Sequence, residues 1–325
     1  MIFIGIDISK LSFDVAVLQE GAYRHRFFDN NSGGFALCLK WVKLFKSQAL
    51  FCLEATGIYG LGLAKYLCLQ QQKTIVANPI QTHAFAKMEM SRNKTDKADA
   101  KSIARYCQHL ENQGLSNKAL YTPKDPDFER IQFLVTRLDQ LNKMRTQEGN
   151  RIDVSLDKTA VHSVKAMCRF IDKQLLSVQR KITAIVNGNP QLHEQVKLLT
   201  SIKGMGDKTA WAILAYMGDV SLFNNSKQII SYAGLNPSIE QSGTSINRSR
   251  LSKMGCARLR KSLYMPALVA VRYNPLMMDL YDRLQAKGKP KKVALVAVMR
   301  KLLVLAYGVL KSGKPFDVNY QQQVT

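Results

Sequence analysis

The first eight residues constrain the fold more than any other stretch of the chain. Residues 2–8 form an almost wholly apolar run, which is typical of a strand buried in a sheet. Its one carboxylate, Asp7, loses hydration there, and that loss is costly unless a cation or hydrogen-bond donors take the place of water. On this stretch alone, an Asp that faces a turn at the end of the strand is an equally good interpretation. Three further carboxylates downstream favour a metal site.

The order of the predicted elements narrows the fold class. Apolar runs and intervening turn residues, among them Ser9-Lys10 and Glu20-Gly21, predict strands at residues 2–8, 12–18, 23–29, 50–53 and 74–77. Helical periodicity predicts helices at residues 35–45 and 58–69. The resulting order, βββαβα followed by a further strand and helix, resembles the α/β RNase H-like fold that RuvC resolvase and many transposases share. Short strands of other α/β folds give a similar order, so the order alone leaves the fold open.

Three carboxylates follow at places where a site shared with Asp7 needs them. Glu54 comes directly after the fourth predicted strand, where open α/β sheets present their sites, although a single Glu there is usually just solvated. Asp96 and Asp99 lie in the first turn of a predicted helix and share a face with Ile103. Acids in a first turn also interact favourably with the helix dipole, which is the simpler explanation. Together the four acids provide the hard oxygen ligands that Mg²⁺ prefers.

The residues around these acids resemble a known family. The matching stretches are Gly-Ile-Asp-Ile-Ser-Lys and Asp-Val-Ala at residues 5–10 and 14–16, Glu-Ala-Thr-Gly at residues 54–57, and Lys-Thr-Asp-Lys-Ala-Asp-Ala at residues 94–100. They are similar to the DEDD (RuvC-like) transposases of bacterial insertion sequences, the bridge-RNA-guided serine recombinases. The resemblance implies an RNase H/RuvC-like catalytic domain at residues 1–124, in which the four acids bind Mg²⁺ and take part in catalysis.

A predicted linker at residues 121–126 precedes a region without predicted strands. Apolar residues at 131, 134, 138 and 141 have a 3,4,3 spacing, which is interrupted by the polar residues 147–150 and resumes from residue 161 to residue 185. This pattern predicts a long helical hairpin at residues 125–190 with coiled-coil-like seams. Packing within the chain explains such seams. The resemblance suggests instead a coiled-coil arm used in oligomerisation, and the seams fit both interpretations.

Residues 191–325, predicted to form a mainly α-helical C-terminal domain, carry features of nucleic-acid recognition. Residues 199–210 look like a helix-hairpin-helix, whose Gly-x-Gly turn leads into a helix with N-terminal amides that can hold a phosphate, although an ordinary helical corner is a rival interpretation. Between Ser245 and Lys301 the chain has 14 Lys and Arg against 2 Asp and Glu, a balance typical of a nucleic-acid surface. The residues expected to contact nucleic acid are Lys203, Lys208, Arg248, Arg250, Lys253, Arg258, Arg260 and Lys261.

One serine in this region is a candidate nucleophile. A serine hydroxyl needs a base or a metal for activation, and no histidine lies near Ser242 in sequence, so chemistry alone makes it an ordinary loop serine. The surrounding pattern, Ser-Tyr-Ala-Gly-Leu-x-Pro from residue 231, then Ser-Gly, Ser-Lys-x-Gly and Leu-Arg, resembles the C-terminal transposase domain of the same family. The resemblance implies that Ser242 is the nucleophile. Ser245, Ser249 and Ser252 are neighbouring alternatives, and residues 247–251 are less Gly-rich than the family pattern.

Composition indicates a polyanionic partner and a reducing compartment. The net charge is +23, from 47 Lys and Arg against 24 Asp and Glu, which favours nucleic acid over a membrane. Six cysteines without a Cys-x-x-Cys pair predict reduced thiols, and the five histidines do not cluster. No signal peptide is recognisable. Arg300 and Lys301 divide the apolar stretch at residues 293–310 into parts too short to span a bilayer, which predicts a buried amphipathic helix there. A soluble, cytoplasmic protein is expected, in bacteria according to the resemblance.

Three functions remain open from the sequence. The resemblance implies a bridge-RNA-guided DNA recombinase, in which Mg²⁺-assisted cleavage gives a covalent phosphoserine before strand exchange. Its partners would be donor and target DNA, a structured guide RNA, and further copies of the chain in a dimer or tetramer with composite active sites. The first alternative is a Mg²⁺-dependent junction-resolving nuclease in which water attacks and Ser242 is structural. The second is a non-catalytic nucleic-acid-binding scaffold, which has no need of four acids in so basic a chain.

Overall fold

Two compact units make up the structure, a computed structural model that describes residues 1–55, 57–89, 95–154, 157–242 and 246–317. The first unit is Met1–Pro123 and the second is Lys124–Thr325. The first contains a mixed sheet with helices, and the second is mainly helical. The further division at residue 190, into an arm and a transposase domain, stays a prediction.

A five-stranded mixed sheet forms the centre of the first unit. Its strands are β1 (Ile2–Ile8), β2 (Ser12–Gln19), β3 (Ala22–Asp29), β4 (Ala49–Glu54) and β5 (Lys73–Ala77). Their order across the sheet is β3-β2-β1-β4-β5. The pairs β3–β2 and β2–β1 are antiparallel, whereas β1–β4 and β4–β5 are parallel. The predicted α/β class is confirmed, and each of the five predicted strands is present.

Four helices accompany this sheet: α1 (Ser32–Lys43), α2 (Leu61–Leu69), α3 (Pro79–Met88) and α4 (Asp96–Asn112). Because side chains alternate along a strand, Ile4 of β1 packs with α1 and α2 on one face, while Phe3 packs with α4 on the other. Helix α1 begins earlier than predicted because the side chain of Asn31 caps it, accepting a hydrogen bond from the Gly34 amide at 2.9 Å. Helix α2 begins at Leu61 rather than at residue 58.

Helix α4 lies directly on β1 because a glycine leaves room for it. A Cβ atom on Gly5 would come within 2.1 Å of the Ala100 carbonyl oxygen and 2.2 Å of the Ala104 amide nitrogen. Both alanines are fully buried. The backbone of α4 therefore crosses β1 two residues before Asp7, and this contact fixes the first turn of α4 relative to the carboxyl end of β1.

The described part of the second unit consists of helices, one short 3-10 turn and one β-hairpin. Its α-helices are α5 (Pro126–Val154), α6 (Lys158–Gly188), α7 (Pro190–Thr200), α8 (Asp207–Met217), α9 (Ser226–Tyr232), α10 (Ala257–Ser262), α11 (Tyr264–Tyr273), α12 (Pro275–Ala286) and α13 (Lys291–Ser312). The hairpin consists of β6 (Pro237–Ser242) and β7 (Ile246–Leu251).

The two longest helices, α5 and α6, pack against one another. Arg145 of α5 contacts Asp172 of α6 at 2.9 Å. Helix α5 continues through the polar residues 147–150 to Val154. Those residues occupy exposed and half-buried positions of a continuous helix, which needs no apolar side chains there. The coiled-coil character of the pair stays a prediction.

Helix α13 is long and apolar enough to cross a membrane, judged by length and composition alone. It continues through Arg300 and Lys301 as a single helix. Of its most apolar window, 56% is buried inside the unit. Leu302 and Ala306 are fully buried in the main hydrophobic core, where α13 packs with α7, α9, α11 and α12. In this structure α13 therefore packs as a core helix, as the sequence predicted.

Candidate active site and nucleic-acid surfaces

Asp7 lies at the end of β1 with its carboxylate partly buried. Burial, followed by the negative charges of Asp99, Asp96, Glu54 and Asp14, raises the pKa of Asp7 to about 6. The three acids expected to share a site with Asp7 therefore lie near enough to act on it electrostatically. Asp14 was not expected among them, but it is paired with Asp7 across β1 and β2.

Glu54 is held by residues that the sequence did not single out. It ends β4, and its side chain is only 14% exposed. Thr82 Oγ1 donates a hydrogen bond to Glu54 Oε2 at 3.2 Å, and His83 Nε2 lies 3.9 Å from Glu54 Oε1. Both residues lie near the start of α3, which follows β5 at Asn78-Pro79. The sequence contained one signal for these two residues. Asn78-Pro79 is a typical helix start, and it follows β5, which lies beside β4 in the sheet, so the new helix begins next to Glu54.

Asp96 and Asp99 lie in the first turn of α4, at the predicted position. Thr95 caps the helix, and its Oγ1 accepts a hydrogen bond from the Ala98 amide at 3.2 Å. Asp96 is exposed and Asp99 half-buried, while Ile103 on the same face is buried against the sheet. The helix dipole alone does not account for this arrangement, because the same face also brings both charges near the carboxylate of β1.

A second contact between an acid and a histidine adjoins this group. His25 Nε2 on β3 lies 2.6 Å from Asp14 Oδ1 on β2. Two of the five histidines, His25 and His83, thus lie against acids of the first unit. Their wide separation in sequence gave no sign of this, because the contacts arise only when the strands pair.

The chemistry of the four acids fits a divalent cation with a preference for oxygen ligands. Carboxylates are the ligands that Mg²⁺ prefers, and a cation would relieve the repulsion that raises the pKa of Asp7. Among the described residues, no three Asp, Glu, His or Cys side chains already stand around one point as metal ligands. Glu54, Asp96 and Asp99 each act electrostatically on Asp7, and the assignment of the four acids as metal ligands stays a prediction.

Ser242 belongs to the second unit, where it is the last residue of β6 rather than a loop residue. It is paired with Ile246 of β7 at the end of the hairpin. Residues 243–245, including the alternative nucleophile Ser245, lie outside the described residues. Of the other two alternatives, Ser249 lies on β7 and Ser252 directly follows it. Among the described candidates, Ser242 and Ser249 therefore lie on the hairpin, and Ser252 lies directly after it.

The base of this hairpin is held by backbone contacts and one arginine. Gly255 has φ +133°, and a Cβ atom there would lie 2.3 Å from the Tyr232 carbonyl oxygen. The guanidinium of Arg260 donates hydrogen bonds to the carbonyl oxygens of Ala233 and Lys253, at 2.8 and 3.2 Å. The Ser-Lys-x-Gly and Leu-Arg motifs therefore hold the base of the hairpin in place. Arg260 was expected to contact phosphate, but its guanidinium binds the protein's own backbone.

Two other expected nucleic-acid contacts face α5. Arg258 donates a hydrogen bond to Thr136 Oγ1 at 2.9 Å, and Lys261 Nζ lies 3.6 Å from Asp139. Both residues line an open cavity of about 620 Å³ along α5. Of the remaining basic residues, Arg250 lies on β7, as does Arg248, whose side chain is outside the described part of the chain.

Lys203 and Lys208 flank the turn between α7 and α8. Gly204 in this turn has φ +104°, and a Cβ atom on it would lie 2.8 Å from that of Ala270, so the turn packs tightly on α11. Helix α8 follows Gly206, which offers no side-chain cap. The first amides of α8 therefore receive no hydrogen-bond acceptor from the side chain of residue 206. A helix start that binds phosphate needs such free amides. The helix-hairpin-helix stays a prediction.

A sheet of this order, with acids at the ends of β1 and β4 and on a helix packed across β1, defines the RNase H-like class of nucleases and transposases. Family models agree: one for DEDD transposases of the IS110 type matches residues 4–161, and one for IS116/IS110/IS902 transposases matches residues 196–282. The pilin gene-inverting protein of Moraxella bovis is 32% identical over 321 residues, which cover 97% of each chain. The chain belongs to the IS110 family of DEDD transposases.

Other relatives agree with this placement. The pilin gene-inverting protein of Moraxella lacunata is also 32% identical over 321 residues, 97% of each chain. An uncharacterised 43.6 kDa protein of insertion element IS110 from Streptomyces coelicolor is 30% identical over 139 residues, 43% of this chain and 34% of that protein. The predicted family is therefore confirmed.

Proposed function

We propose that the protein is a DNA recombinase of a bacterial insertion sequence that cleaves and exchanges strands through a covalent phosphoserine. The observation that supports the proposal is that Glu54, Asp96 and Asp99, from β4 and α4, lie near enough to Asp7 on β1 to raise its pKa. The Moraxella relatives are named for inverting a pilin gene, and gene inversion is a recombination of DNA.

The four acids would hold Mg²⁺. When bound, Mg²⁺ neutralises the scissile phosphate and stabilises the oxygens that attack and leave. The chain's own residues prepare this site: Thr82 orients the carboxylate of Glu54, and the close approach at Gly5 holds the first turn of α4 near Asp7. Orientation by such supporting contacts is what a metal site requires of a protein.

Ser242 would supply the nucleophile. Its Oγ forms a bond to the scissile phosphorus while the bond to the leaving strand oxygen breaks, and the serine proton passes to solvent. The hydroxyl of an incoming strand end later attacks the same phosphorus and releases the serine. A hairpin fixed at its base by Arg260 and Gly255 would present Ser242 in a defined position.

Nucleic acids and further copies of the chain are the proposed partners. Donor and target DNA would be selected by a structured bridge RNA, with base pairing reading sequence and the protein reading backbone and shape. The net charge of +23 suits a cytoplasmic protein that holds both polyanions. The α5–α6 pair would act as an arm in a dimer or tetramer with composite active sites.

The junction-resolving nuclease is the second candidate, because Ser242 belongs to a different compact unit from the acids. In that case water attacks the phosphate, and no covalent adduct forms. A non-catalytic scaffold accounts for the basic surfaces but not for the acids near Asp7.

Trapping of a protein–DNA adduct separates these functions. We expect wild type to give an adduct that maps to the peptide containing Ser242, and Ser242→Ala to give none. Ser238→Ala, on the same strand and half-buried, serves as the matched control and should form the adduct normally. Asp96→Ala should abolish both adduct and recombination while leaving the fold intact. Full recombination by Ser242→Ala would move the role to another serine or favour the nuclease, and full activity of Asp96→Ala would contradict the metal site.

A further inference from the structure

Helix α6 carries a row of positive charges that the proposed function does not use. The five residues are Lys158, Lys165, Arg169, Lys173 and Arg180, and all are exposed. At about 100° and 1.5 Å per residue, they fall within about 80° of the helix circumference over a length of about 33 Å. Together these five residues form the α6 stripe.

Within the described part of the chain, no acidic side chain forms an ion pair with the stripe. The one acidic residue of α6, Asp172, lies 2.9 Å from Arg145 of α5. Lys165, Arg169 and Lys173 follow one another at i, i+4 spacing, where like charges repel and destabilise a helix. A row of this kind therefore indicates a partner that neutralises it.

The stripe lies on the side of α6 turned away from the core. The buried face of the helix carries Cys168, Ile171, Val178 and Ile182, and it packs towards α5. Phe170, which is 57% exposed, lies about 100° from the centre of the stripe. Phe170 therefore lies outside the charged row.

We propose that the α6 stripe binds the phosphate backbone of duplex DNA along about one turn. One turn of duplex is about 34 Å long, close to the length of the stripe. Lys and Arg that approach phosphates release condensed counterions, which favours binding without regard to base sequence. The choice of DNA rests on the proposed function, since recombination acts on DNA. The arm would then hold a DNA segment in addition to any role in oligomerisation.

The test compares two triple variants of the full-length protein with equal net charge. Lys165→Gln, Arg169→Gln and Lys173→Gln remove the centre of the stripe. Lys118→Gln, Lys181→Gln and Lys311→Gln are the control, because these lysines are also exposed and lie off the stripe. The probes are a duplex DNA of about 30 base pairs and a duplex RNA of the same sequence, with Kd measured from about 50 to 200 mM KCl.

For the stripe variant we expect DNA affinity to fall at least tenfold near 0.1 M salt, and the slope of log K against log salt to decrease by about 2 to 3. The control variant should match wild type in both. An unchanged DNA slope overturns the proposal, and so does a loss confined to RNA. An unchanged slope with an altered mass by light scattering assigns the stripe to contacts between copies, which also overturns it.

The same experiment keeps this inference separate from the proposed function. Circular dichroism melting of both variants verifies that they fold. If wild type binds no DNA, the proposed function fails. If wild type binds DNA and forms the Ser242 adduct while the stripe variant keeps the wild-type slope, only the inference about α6 fails.

Discussion

At the scale of single residues, the ionised carboxylate of Asp7 lowers the stability of the folded protein. Its pKa rises from 3.8 to about 6 in the folded protein, chiefly through burial and then through Asp99. The unfolded chain therefore releases this proton near pH 4 and the folded protein only near pH 6. Ionisation of Asp7 consequently lowers the free energy of unfolding increasingly between these values, and in full above about pH 6.

Removal of this charge should stabilise the metal-free protein. We expect Asp7→Asn to raise the free energy of unfolding by about 1 to 2 kcal/mol at pH 7, a figure reduced to allow for partial exposure, and to have no such effect near pH 4. Recombination should be abolished in the same variant. Urea unfolding in EDTA at both pH values measures the difference, and Asp29→Asn on the exposed end of β3 is the control. A less stable Asp7→Asn at pH 7 would contradict this account.

The sequence predicted the acids of this site but not the residues that support them. Asp7 and Glu54 were found because each lies at the end of a strand, and Asp96 and Asp99 because they open a helix. Such positions follow from local pattern. Thr82, His83 and His25 were missed, because their contacts with Glu54 and Asp14 depend on strand pairing and on where α3 begins. Local pattern carries no information about either.

At the scale of elements, the contact of α4 with β1 decides whether the acids meet. Because an added Cβ on Gly5 would collide with the backbone of α4 and not with a side chain, no rotamer change relieves it. We expect Gly5→Ala to lower the free energy of unfolding by about 1 to 3 kcal/mol and to move Asp96 and Asp99 away from Asp7. Mg²⁺ affinity, measured by calorimetry, should fall with it.

A second glycine of the same unit provides the control for this variant. Gly62 lies within α2, and an added Cβ there would be 3.5 Å from the ring of Phe35, an ordinary contact. Gly62→Ala should leave Mg²⁺ affinity unchanged and be neutral or stabilising, since alanine favours a helix. Gly5→Ala with wild-type stability and wild-type Mg²⁺ affinity would show that α4 is free to shift.

Elements with an apolar pattern were predicted well, and elements held by other contacts were not. Most strands of the sheet followed from apolar runs, and β3 followed from the turn residues on either side of it. Helix α5 continues through the polar residues 147–150 because its packing on α6 stabilises a helix beyond local preference. The β6–β7 hairpin was missed because residues 237–251 are rich in Ser and other polar residues and have no apolar alternation. Contacts at its base hold it instead.

At the scale of the whole molecule, the two kinds of chemistry lie in different units. The acids near Asp7 belong to Met1–Pro123, and Ser242 belongs to Lys124–Thr325. A reaction that needs both can combine the acids of one chain with the serine of another. Symmetric oligomers make such a site repeat, once for each pair of partners. The proposed composite site therefore has a consequence for mixtures of inactive variants.

Mixing Asp96→Ala with Ser242→Ala should restore recombination, although each variant alone is inactive. If subunits exchange freely in a dimer, about half of the dimers are mixed, and each mixed dimer has one composite site with both groups intact and one with neither. The Ser242 adduct should then form only on the chain that carries Asp96→Ala, which a size tag on that chain reveals in a gel. The double variant Asp96→Ala/Ser242→Ala, mixed with wild type, is the control, since no mixed dimer there gains a complete site. If a chain forms the Ser242 adduct only when its own Asp96 is intact, each chain supplies both groups to the same site, which contradicts the composite site.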